Sequence, residues 1–285
     1  MVIPEPDLGC KIRSIQSTGV GLRAPHFQHI MEHQPDIPWF EILIDNYLGG
    51  GPALYQLEQI RNEYPITFHG VGMSLGSTDD LKMSYLKKLK QRISEFEPIH
   101  ISDHLCWSSF GGHYAHDLLP LPYVTQSITT VVEHVKQVQD YLGQRILIEN
   151  VSSYLSYKQS VMEEWEFLVT VADQADCDIL LDINNIYVSA RNHNINAEAY
   201  LNAIPVERVK EFHLAGYEDK QTHLLDTHGE PVHTPVWELY KKALNRFGSI
   251  PTLIEWDNDI PEFSVLSAEA DKANRYQQEY KKHAA

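Results

Sequence analysis

Eight short runs of apolar and β-branched residues recur along the chain, and most of the intervals between them are long enough to hold a helix. The runs are continuous rather than alternating, which is typical of parallel strands that are buried on both faces. They cover residues 19–23, 40–45, 66–72, 100–107, 145–151, 179–185, 209–216 and 252–257. Eight strands that alternate with helices predict an α/β fold, namely a single (β/α)8 TIM barrel.

The intervals between these runs support the same fold. Apolar residues recur at helical spacing in residues 80–96, 125–142, 163–176 and 236–247. Such a barrel needs roughly 250 residues, so the length of 285 predicts one domain over residues 1–285. Two intervals are longer than a minimal connection. We expect residues 108–123 to form a lid or binding loop, and residues 217–235 to form a loop that carries metal ligands.

The charge of the chain restricts its partners. Its 39 acidic and 23 basic side chains give a formal net charge of −16, which repels a polyanion, so nucleic acid is not an expected partner.

No apolar run reaches the roughly 18 residues of a membrane helix, and no signal peptide pattern is visible, so we expect a cytoplasmic protein without a membrane partner. Three scattered cysteines, Cys10, Cys106 and Cys177, are expected to be buried thiols rather than disulfides.

Side chains of the types that bind metals lie at or near the ends of the predicted strands. The carboxyl ends of the strands of a TIM barrel converge on one mouth, so we expect these side chains to share one pocket. Glu149, Asp182 and Glu255 lie inside apolar runs, where a charged group is rare unless it is paired or bound to a cation. The predicted metal ligands are His69, His104, Glu149, Asp182, Asn185, His213, Asp226, His228 and Glu255.

The chemistry of these ligands favours a transition metal. Imidazoles and carboxylates suit iron, zinc or manganese, and the absence of a cysteine pair argues against a thiolate site. The sequence therefore predicts a multinuclear metalloenzyme. Further polar residues are predicted to orient ligands or to contact a substrate, with ordinary turn asparagines and surface histidines as the alternative. They are His26, Asn46, His113, His116, Asn150 and Asn184.

Long sequence blocks that contain these residues are spread over nearly the whole chain. They are HGVGMSLGS (69–77), SDHLCW (102–107), HDLLPLPY (116–123), IENVSSYL (148–155), LLDINNIYVSARNH (180–193), HLAG (213–216), DTHG (226–229) and LIEWDNDIP (253–261). Together they closely resemble domain-of-unknown-function family 692, also called uncharacterised protein family 0276. Its characterised members are multinuclear non-haem iron-dependent oxidative enzymes, related to the methanobactin biosynthesis oxidase.

That resemblance implies a TIM barrel of the xylose isomerase-like kind, which holds two or three irons. Known members use O2 to modify cysteine, or less often another residue, of a ribosomally synthesised peptide. A small partner protein usually presents the peptide. The resemblance therefore implies an oxidoreductase of peptide modification, with a peptide substrate and a partner protein, although zinc or manganese remain possible metals.

The order of the ligands is also similar to that of the endonuclease IV family, which holds three zincs in the same type of barrel. This similarity implies three ligand groups: His69, His104 and Glu149; Glu149, Asp182, His213 and Glu255; and Asn185, Asp226 and His228. Glu149 would bridge two metals, and we expect Glu149, Asp182 and His213 to be catalytic. Asn185 stands where the nuclease pattern has a histidine. Because an amide oxygen is a weaker and harder ligand than imidazole, we expect the third site to bind its metal more loosely.

Three other functions remain open. A phosphodiesterase would use the metals to activate water, although the acidic balance and the lack of a basic run with aromatics count against DNA. A sugar isomerase of the same barrel class would need a lysine near a two-metal site, and none lies at these strand ends. A metal-storage or chaperone protein would explain the ligands without catalysis. Turnover of a peptide with consumption of O2 separates the oxidative enzyme from all three.

Overall fold

The eight predicted strands are present and close into one barrel. A computed structural model of the protein describes residues 15–284. The barrel consists of β1 (Thr18–Gly21), β2 (Phe40–Leu43), β3 (Ile66–Gly70), β4 (Ile101–His104), β7 (Leu147–Glu149), β8 (Asp178–Asp182), β9 (Val209–Leu214) and β12 (Thr252–Ile254). Two hairpins lie outside the barrel. Their strands are β5 (Trp107–Phe110) with β6 (His113–Leu119), and β10 (Glu218–Asp219) with β11 (Leu224–Leu225). The barrel strands follow chain order, all neighbours are parallel, and β12 pairs with β1. The (β/α)8 prediction is therefore confirmed.

Helices fill most of the intervals between barrel strands. In the part of the chain that the structure describes they are α1 (Phe27–His33), α2 (Pro52–Glu63), α3 (Met83–Phe96), α4 (Thr125–Leu142), α5 (Glu164–Ala175), α6 (Ile183–His193), α7 (Ala197–Ala203), α8 (Thr234–Phe247) and α9 (Phe263–Ala284). All four helices predicted from periodicity are present, and α4 has the predicted bounds. The prediction for α3 began three residues too early, at residue 80 instead of Met83. None of these helices is both long enough and apolar enough to cross a bilayer.

The alternation of side chains along each strand separates the apolar core from the barrel interior. Phe68 of β3 packs against Phe96 of α3, and Phe212 of β9 packs against Tyr240 of α8, so these side chains point out to the helices. Their neighbours along the strands point the other way. The rings of His69 and His213 are consequently 5.3 Å apart inside the barrel. The core between sheet and helices is thus apolar, while the interior near the mouth is polar.

Two local predictions were wrong in part. Residues 108–123 do not form a simple loop, because β5 and β6 pair as an antiparallel hairpin whose turn contains Gly111 and Gly112, both in the left-handed region. Glycine adopts that conformation without steric cost, so the pair permits a tight turn. The predicted strand 179–185 ends at Asp182, because the side chain of Asp182 accepts the backbone N–H of Asn185 and begins α6 there.

The cysteines agree with the prediction where they can be compared. Cys106 and Cys177 are buried and unpaired, and burial raises the pKa of both thiols. Raised pKa values leave the thiols protonated at neutral pH, so they act as small apolar residues. Cys10 lies outside the described residues.

Candidate metal centre

Glu149 lies at the centre of the polar cluster in the barrel. Its Oε2 atom is 3.2 Å from Nε2 of His69 and 3.1 Å from Nε2 of His104, and all three residues are buried. The three strands that carry them, β3, β4 and β7, are neighbours, and each of the three residues lies in the last two positions of its strand. The structure therefore brings the first predicted ligand group together.

The second predicted ligand group lies on the side of Glu149 that carries its other carboxylate oxygen, Oε1. Nδ1 of His213 is 3.7 Å from Oε1 of Glu149 and 3.0 Å from Oε2 of Glu255. Potential ligand atoms of Glu149, Asp182, His213 and Glu255 all lie within 4.8 Å of one another. Glu149 thus belongs to both groups, which is the arrangement that a bridging carboxylate requires.

The third predicted group lies at the rim of the same cavity. Nε2 of His228 is 2.8 Å from Oδ1 of Asp226, and the amide of Asn184 donates to that oxygen at 2.6 Å. Asn185 lines the cavity beside them. Asn184 therefore orients a predicted ligand, which is one of the two roles that its position suggested.

Asn150 connects the strand ends that carry two of these groups. Its Oδ1 atom accepts the backbone N–H of Asp182 at 2.9 Å, and its Nδ2 atom donates to the backbone carbonyl of Asp182 at 3.0 Å. Asn185 in turn donates to the carbonyl of Asn150 at 3.0 Å. Because both ends of the Asn150 amide bind backbone, this residue fixes the positions of ligands, and a direct contact with substrate remains only a prediction.

The backbone of His228 is held in an unusual conformation. Its φ of 47° lies in the left-handed region, which costs a residue with a Cβ atom free energy and persists only where the surroundings enforce it. Its N–H donates to the carbonyl of Gly216 at 3.1 Å, and its carbonyl accepts the N–H of Asp257 at 2.8 Å. The loops after β9 and β12 thereby fix the direction of the His228 imidazole.

Gly216 permits this arrangement, and we expect its replacement by alanine to displace the loop. A Cβ atom at Gly216 would lie 2.1 Å from the carbonyl oxygen of Glu230 and 2.8 Å from that of Pro231, so the backbone itself must move. We expect Gly216→Ala to lower the free energy of unfolding by about 1–3 kcal/mol and to weaken metal retention by the third group. Urea unfolding and metal analysis measure both effects. Gly50→Ala, where a Cβ meets nothing within 4 Å, is the control, and equal behaviour of the two variants would contradict the prediction.

The electrostatics of the first group favour replacement of a proton by a metal. The facing Nε2 atoms of His69 and His104 are 3.3 Å apart. Two N–H groups at this distance would repel each other, so protonation of both atoms is unfavourable. Burial opposes protonation of both, yet the negative charges of Glu149 and Glu41 raise the pKa of His69 to about 10, while burial lowers the pKa of His104. Nε2 of His69 thus faces both the imidazole of His104 and the carboxylate of Glu149, and a metal ion bound among these three groups would replace a proton there.

The carboxylates also differ from one another. Burial would raise the pKa of Glu255, but the neighbouring His228 and His213 lower it well below its usual range. Burial raises the pKa of Asp182 well above its usual range, and the charge of Glu149 raises it further. An acid with such a pKa lacks a sufficient positive charge nearby, and a bound cation would supply one.

Unpaired polar atoms test whether the residues present fit a metal. Within residues 15–284, Oδ2 of Asp182 and Oδ1 of Asn185 are buried and have no hydrogen-bond partner. A buried oxygen without a partner costs free energy, and a metal bound by Asp182 and Asn185 would remove that cost. The donor set of imidazole nitrogens, carboxylate oxygens and one amide oxygen fits iron, zinc or manganese. The site therefore fits the metals predicted from the sequence.

The cavity above these ligands has a volume of about 200 Å³ and opens to solvent. Its floor is polar and includes His69, His104, Asn185, His228 and Glu255. Its wall includes apolar side chains from four different segments, namely Leu43, Val71, Leu118 and Val151. Leu118 belongs to β6, so the hairpin that replaces the predicted lid forms part of the entrance.

Other predicted contact residues lie away from this floor. His26 is buried and its Nε2 atom lies 2.9 Å from the carbonyl oxygen of Pro261, which is a structural contact. Asn46 is exposed in a short 3-10 helix after β2. His113 and His116 are exposed on β6, whose residues Asp117 and Leu118 reach the cavity. A role of these four residues in substrate binding stays a prediction.

Several charged residues near the ligands were not predicted from the sequence, among them Glu41, Asp257 and Arg23. Glu41 is 3.3 Å from Nε2 of His213, Asp257 is 3.1 Å from Nδ1 of His228, and the guanidinium of Arg23 contacts Asp257. Glu41 lies in the apolar run FEIL and meets the same criterion that selected Glu149. The signal was therefore present for Glu41, whereas the contacts of Arg23 and Asp257 depend on loops that the sequence does not position.

Solved structures share the fold. A xylose isomerase-like TIM barrel protein from Mycobacterium smegmatis, in complex with magnesium, is 10% identical, with a TM-score of 0.59 over 94% of this chain and 97% of that one. Endonuclease IV from Thermus thermophilus is 15% identical, with a TM-score of 0.59 over 94% of this chain and 99% of that one. At such identities the likeness concerns the fold alone. The chain shares the TIM-barrel fold of these proteins.

Sequence relatives are much closer. The UPF0276 protein of Acaryochloris marina (strain MBIC 11017) is 57% identical over 263 residues, which are 92% of this chain and 95% of the relative. A family model described as "RiPP precursor modification enzyme MbnB/TglH/ChrH" matches residues 17–278, which include all nine predicted ligands. The chain therefore belongs to the MbnB/TglH/ChrH family of RiPP precursor modification enzymes.

Proposed function

We propose that the protein is a multinuclear iron-dependent enzyme that uses O2 to oxidise a cysteine, or another residue, of a ribosomally synthesised peptide. A small partner protein presents the peptide at the barrel mouth. The main support for this proposal is the presence of two groups of potential metal ligands that share Glu149. The chain also belongs to a family that modifies RiPP precursors. His69, His104 and Glu149 would hold one metal and Glu149, Asp182, His213 and Glu255 a second, and the pair would supply redox chemistry together with a positive charge that attracts the substrate.

Glu149, Asp182 and His213 are the proposed catalytic residues. Glu149 offers one oxygen to His69 and His104 and the other to the group that contains Asp182 and His213. Asp182 also begins α6, so its carboxylate has one oxygen on the backbone of Asn185 and one free for a metal. These contacts hold the ligands in place before a metal arrives, which reduces the entropic cost of binding.

Bound iron would supply the electrons that reduce O2 and the positive charge that lowers the pKa of a substrate thiol. The chain itself supplies the surroundings. Leu43, Val71 and Leu118 line the entrance and can contact the peptide around the reacting residue while they limit the access of water. The hydroxyl of Tyr154 accepts the N–H of Asp226 at 2.8 Å and holds the third ligand group against this wall.

Replacement of Asn185 by alanine is expected to remove the third metal and to leave the other two. Oδ1 of Asn185 is the single oxygen of this side-chain amide, and an amide is already a weak ligand. When both proteins are saturated with metal, the variant should hold one ion per chain fewer than the wild type, as measured by mass spectrometry. Asn245→Ala, on the exposed face of α8, is the control. Unchanged metal content in Asn185→Ala would exclude Asn185 as a ligand.

The function is tested first by metal content and then by turnover. Protein purified without oxygen and without added metal should contain two or three irons per chain, and iron-57 material should show a coupled ferrous–ferric Mössbauer signal. With its precursor peptide, the iron form should consume O2 and change the peptide mass, and addition of the partner protein should increase the rate. Stoichiometric zinc with hydrolysis of a phosphodiester would replace this function by the phosphodiesterase.

A further inference from the structure

Glu41 lies below the ligand groups and faces the nitrogen of His213 that points away from them. We propose that Glu41 is a positioning residue, which accepts a hydrogen bond from Nε2 of His213 and thereby presents Nδ1 to the metal. This inference rests on the proposed metal centre, because it concerns how one ligand of that centre is oriented. The metal groups predicted from the sequence do not include Glu41.

The two nitrogens of His213 have different neighbours. Nδ1 is 3.0 Å from Oε2 of Glu255 and 3.7 Å from Oε1 of Glu149, both in the second ligand group. Nε2 is 3.3 Å from Oε2 of Glu41, on the opposite side of the ring. A neutral imidazole carries its proton on one nitrogen and offers a lone pair on the other. A proton on Nε2, held by Glu41, leaves the lone pair of Nδ1 directed at the second group.

Glu41 is itself fixed in the barrel interior. It is 1% exposed, and the hydroxyl of Thr67 on the neighbouring strand β3 donates to its Oε2 atom at 3.4 Å. Burial keeps water from competing for the Nε2 proton of His213, which is fully buried. A histidine ligand whose other nitrogen donates to a carboxylate is fixed in ring orientation and becomes a stronger base, and loss of such a partner weakens metal binding.

The neighbouring Glu211 does not have the same relation to His213. Its Oε1 atom is 4.0 Å from Nε2 of His213, which is too long for a hydrogen bond. Its Oε2 atom lies 2.7 Å from Nδ1 of His100, at the end of the barrel away from the mouth. Glu211 is therefore a matched control: a buried carboxylate at nearly the same depth that is paired with a different imidazole.

A further cation is the competing explanation of these carboxylates. Ligand atoms of Glu41, Glu211 and His213 lie within 4.8 Å of one another, and in the described part of the chain Oε1 of both glutamates lacks a hydrogen-bond partner. A metal there would require both nitrogens of His213 to bind metals at once. The single hydrogen bond to Glu41 leaves Nδ1 as the metal ligand and needs no additional ion, so it is the arrangement that we infer.

Metal titration of Glu41→Gln, Glu41→Ala and Glu211→Gln tests the inference. Metal-free protein is titrated with Zn²⁺ against a chelator, which measures affinity and stoichiometry without turnover. The first two ligand groups are proposed to bind two ions. We expect Glu41→Ala to lower the affinity for the more weakly bound of these two ions about 10- to 100-fold, while the number of ions bound at saturation stays the same. Glu41→Gln should recover most of the affinity, because its amide oxygen can accept the Nε2 proton, and Glu211→Gln should bind like the wild type.

Other outcomes separate the alternatives. Wild-type affinity in a folded Glu41→Ala protein would overturn the inference alone, and loss of one ion at saturation in both Glu41→Ala and Glu211→Gln would replace it by a cation site. A wild-type chain that binds no metal would overturn the proposed function and this inference together. If Glu41→Ala does not fold, nitrogen-15 spectra of the Zn²⁺-loaded wild type decide: we expect a proton on Nε2 of His213, and a proton on Nδ1 would overturn the inference.

Discussion

Replacement of Glu149 by alanine is expected to abolish turnover and to remove both metals of the first two groups. Oε2 of Glu149 lies 3.1 to 3.2 Å from the imidazoles of His104 and His69, and Oε1 faces His213 at 3.7 Å. Without this carboxylate the two groups lose their shared ligand, and the buried histidines lose the charge that balances a cation. Activity should fall below about one thousandth of the wild type, as is common when a group on which a catalytic unit depends is removed.

Metal analysis, O2 consumption and circular dichroism test this expectation on the same sample. Glu164→Gln is the control, because Glu164 is a half-buried carboxylate outside the ligand groups, where it accepts hydrogen bonds from Tyr123 at 3.1 Å and Tyr200 at 2.8 Å. The control should keep its metals and its activity. A folded Glu149→Ala protein with full metal content would show that Glu149 is not a shared ligand.

Metal affinity is expected to rise steeply with pH through the neutral range. Burial opposes a charge on His69, but Glu149 and Glu41 raise its pKa to about 10, so metal-free protein keeps this proton at neutral pH. The pKa values of His213 and His228 are also raised well above the usual value, because nearby carboxylates outweigh burial. A metal must displace such protons. Each displaced proton makes the apparent affinity about tenfold higher per pH unit.

Stability of the metal-free protein should change in the opposite direction. A histidine with a raised pKa stabilises the folded state below its unfolded pKa of 6.5, and that stabilisation is lost as the pH rises through the folded value, about 10 for His69. We therefore expect the metal-free form to lose stability between pH 6.5 and 10, while metal binding becomes tighter.

The pH dependence of metal affinity is tested by calorimetry. Titrations in buffers of different ionisation enthalpy count the protons that are released when the metal binds. An affinity that does not change with pH, without proton release, would contradict this account.

Much of the fold and of the site could be predicted from local patterns. Continuous apolar runs identified all eight barrel strands, because a parallel strand buried on both faces has no polar side. Acids inside such runs selected Glu149, Asp182 and Glu255 as predicted ligands, because burial of a charge without a partner is costly, and the folded barrel brings these three side chains together. The same reasoning applies to Glu41, which was missed although it lies within one of the predicted strands.

Other features depended on contacts between distant segments. The hairpin of β5 and β6 was expected to be a loop, because its strands pair only with each other and carry exposed side chains instead of an apolar run. The left-handed backbone of His228 requires Gly216 and Asp257, which lie 12 and 29 residues away and meet it only in the folded barrel. Sequence spacing cannot indicate such contacts, since each depends on how the loops at the mouth pack together.

The sequence by itself determined the barrel, the types of ligand and the end of the barrel at which they meet, because strand burial and strand direction are encoded in each segment separately. Only the tertiary structure decided that Glu149 offers one oxygen to each ligand group and that Nδ1 of His213 faces Glu255 while Nε2 faces Glu41. These contacts join side chains from different strands at distances of about 3 Å. They are set by the closure of the sheet into a barrel, which brings β2, β7, β9 and β12 around one interior.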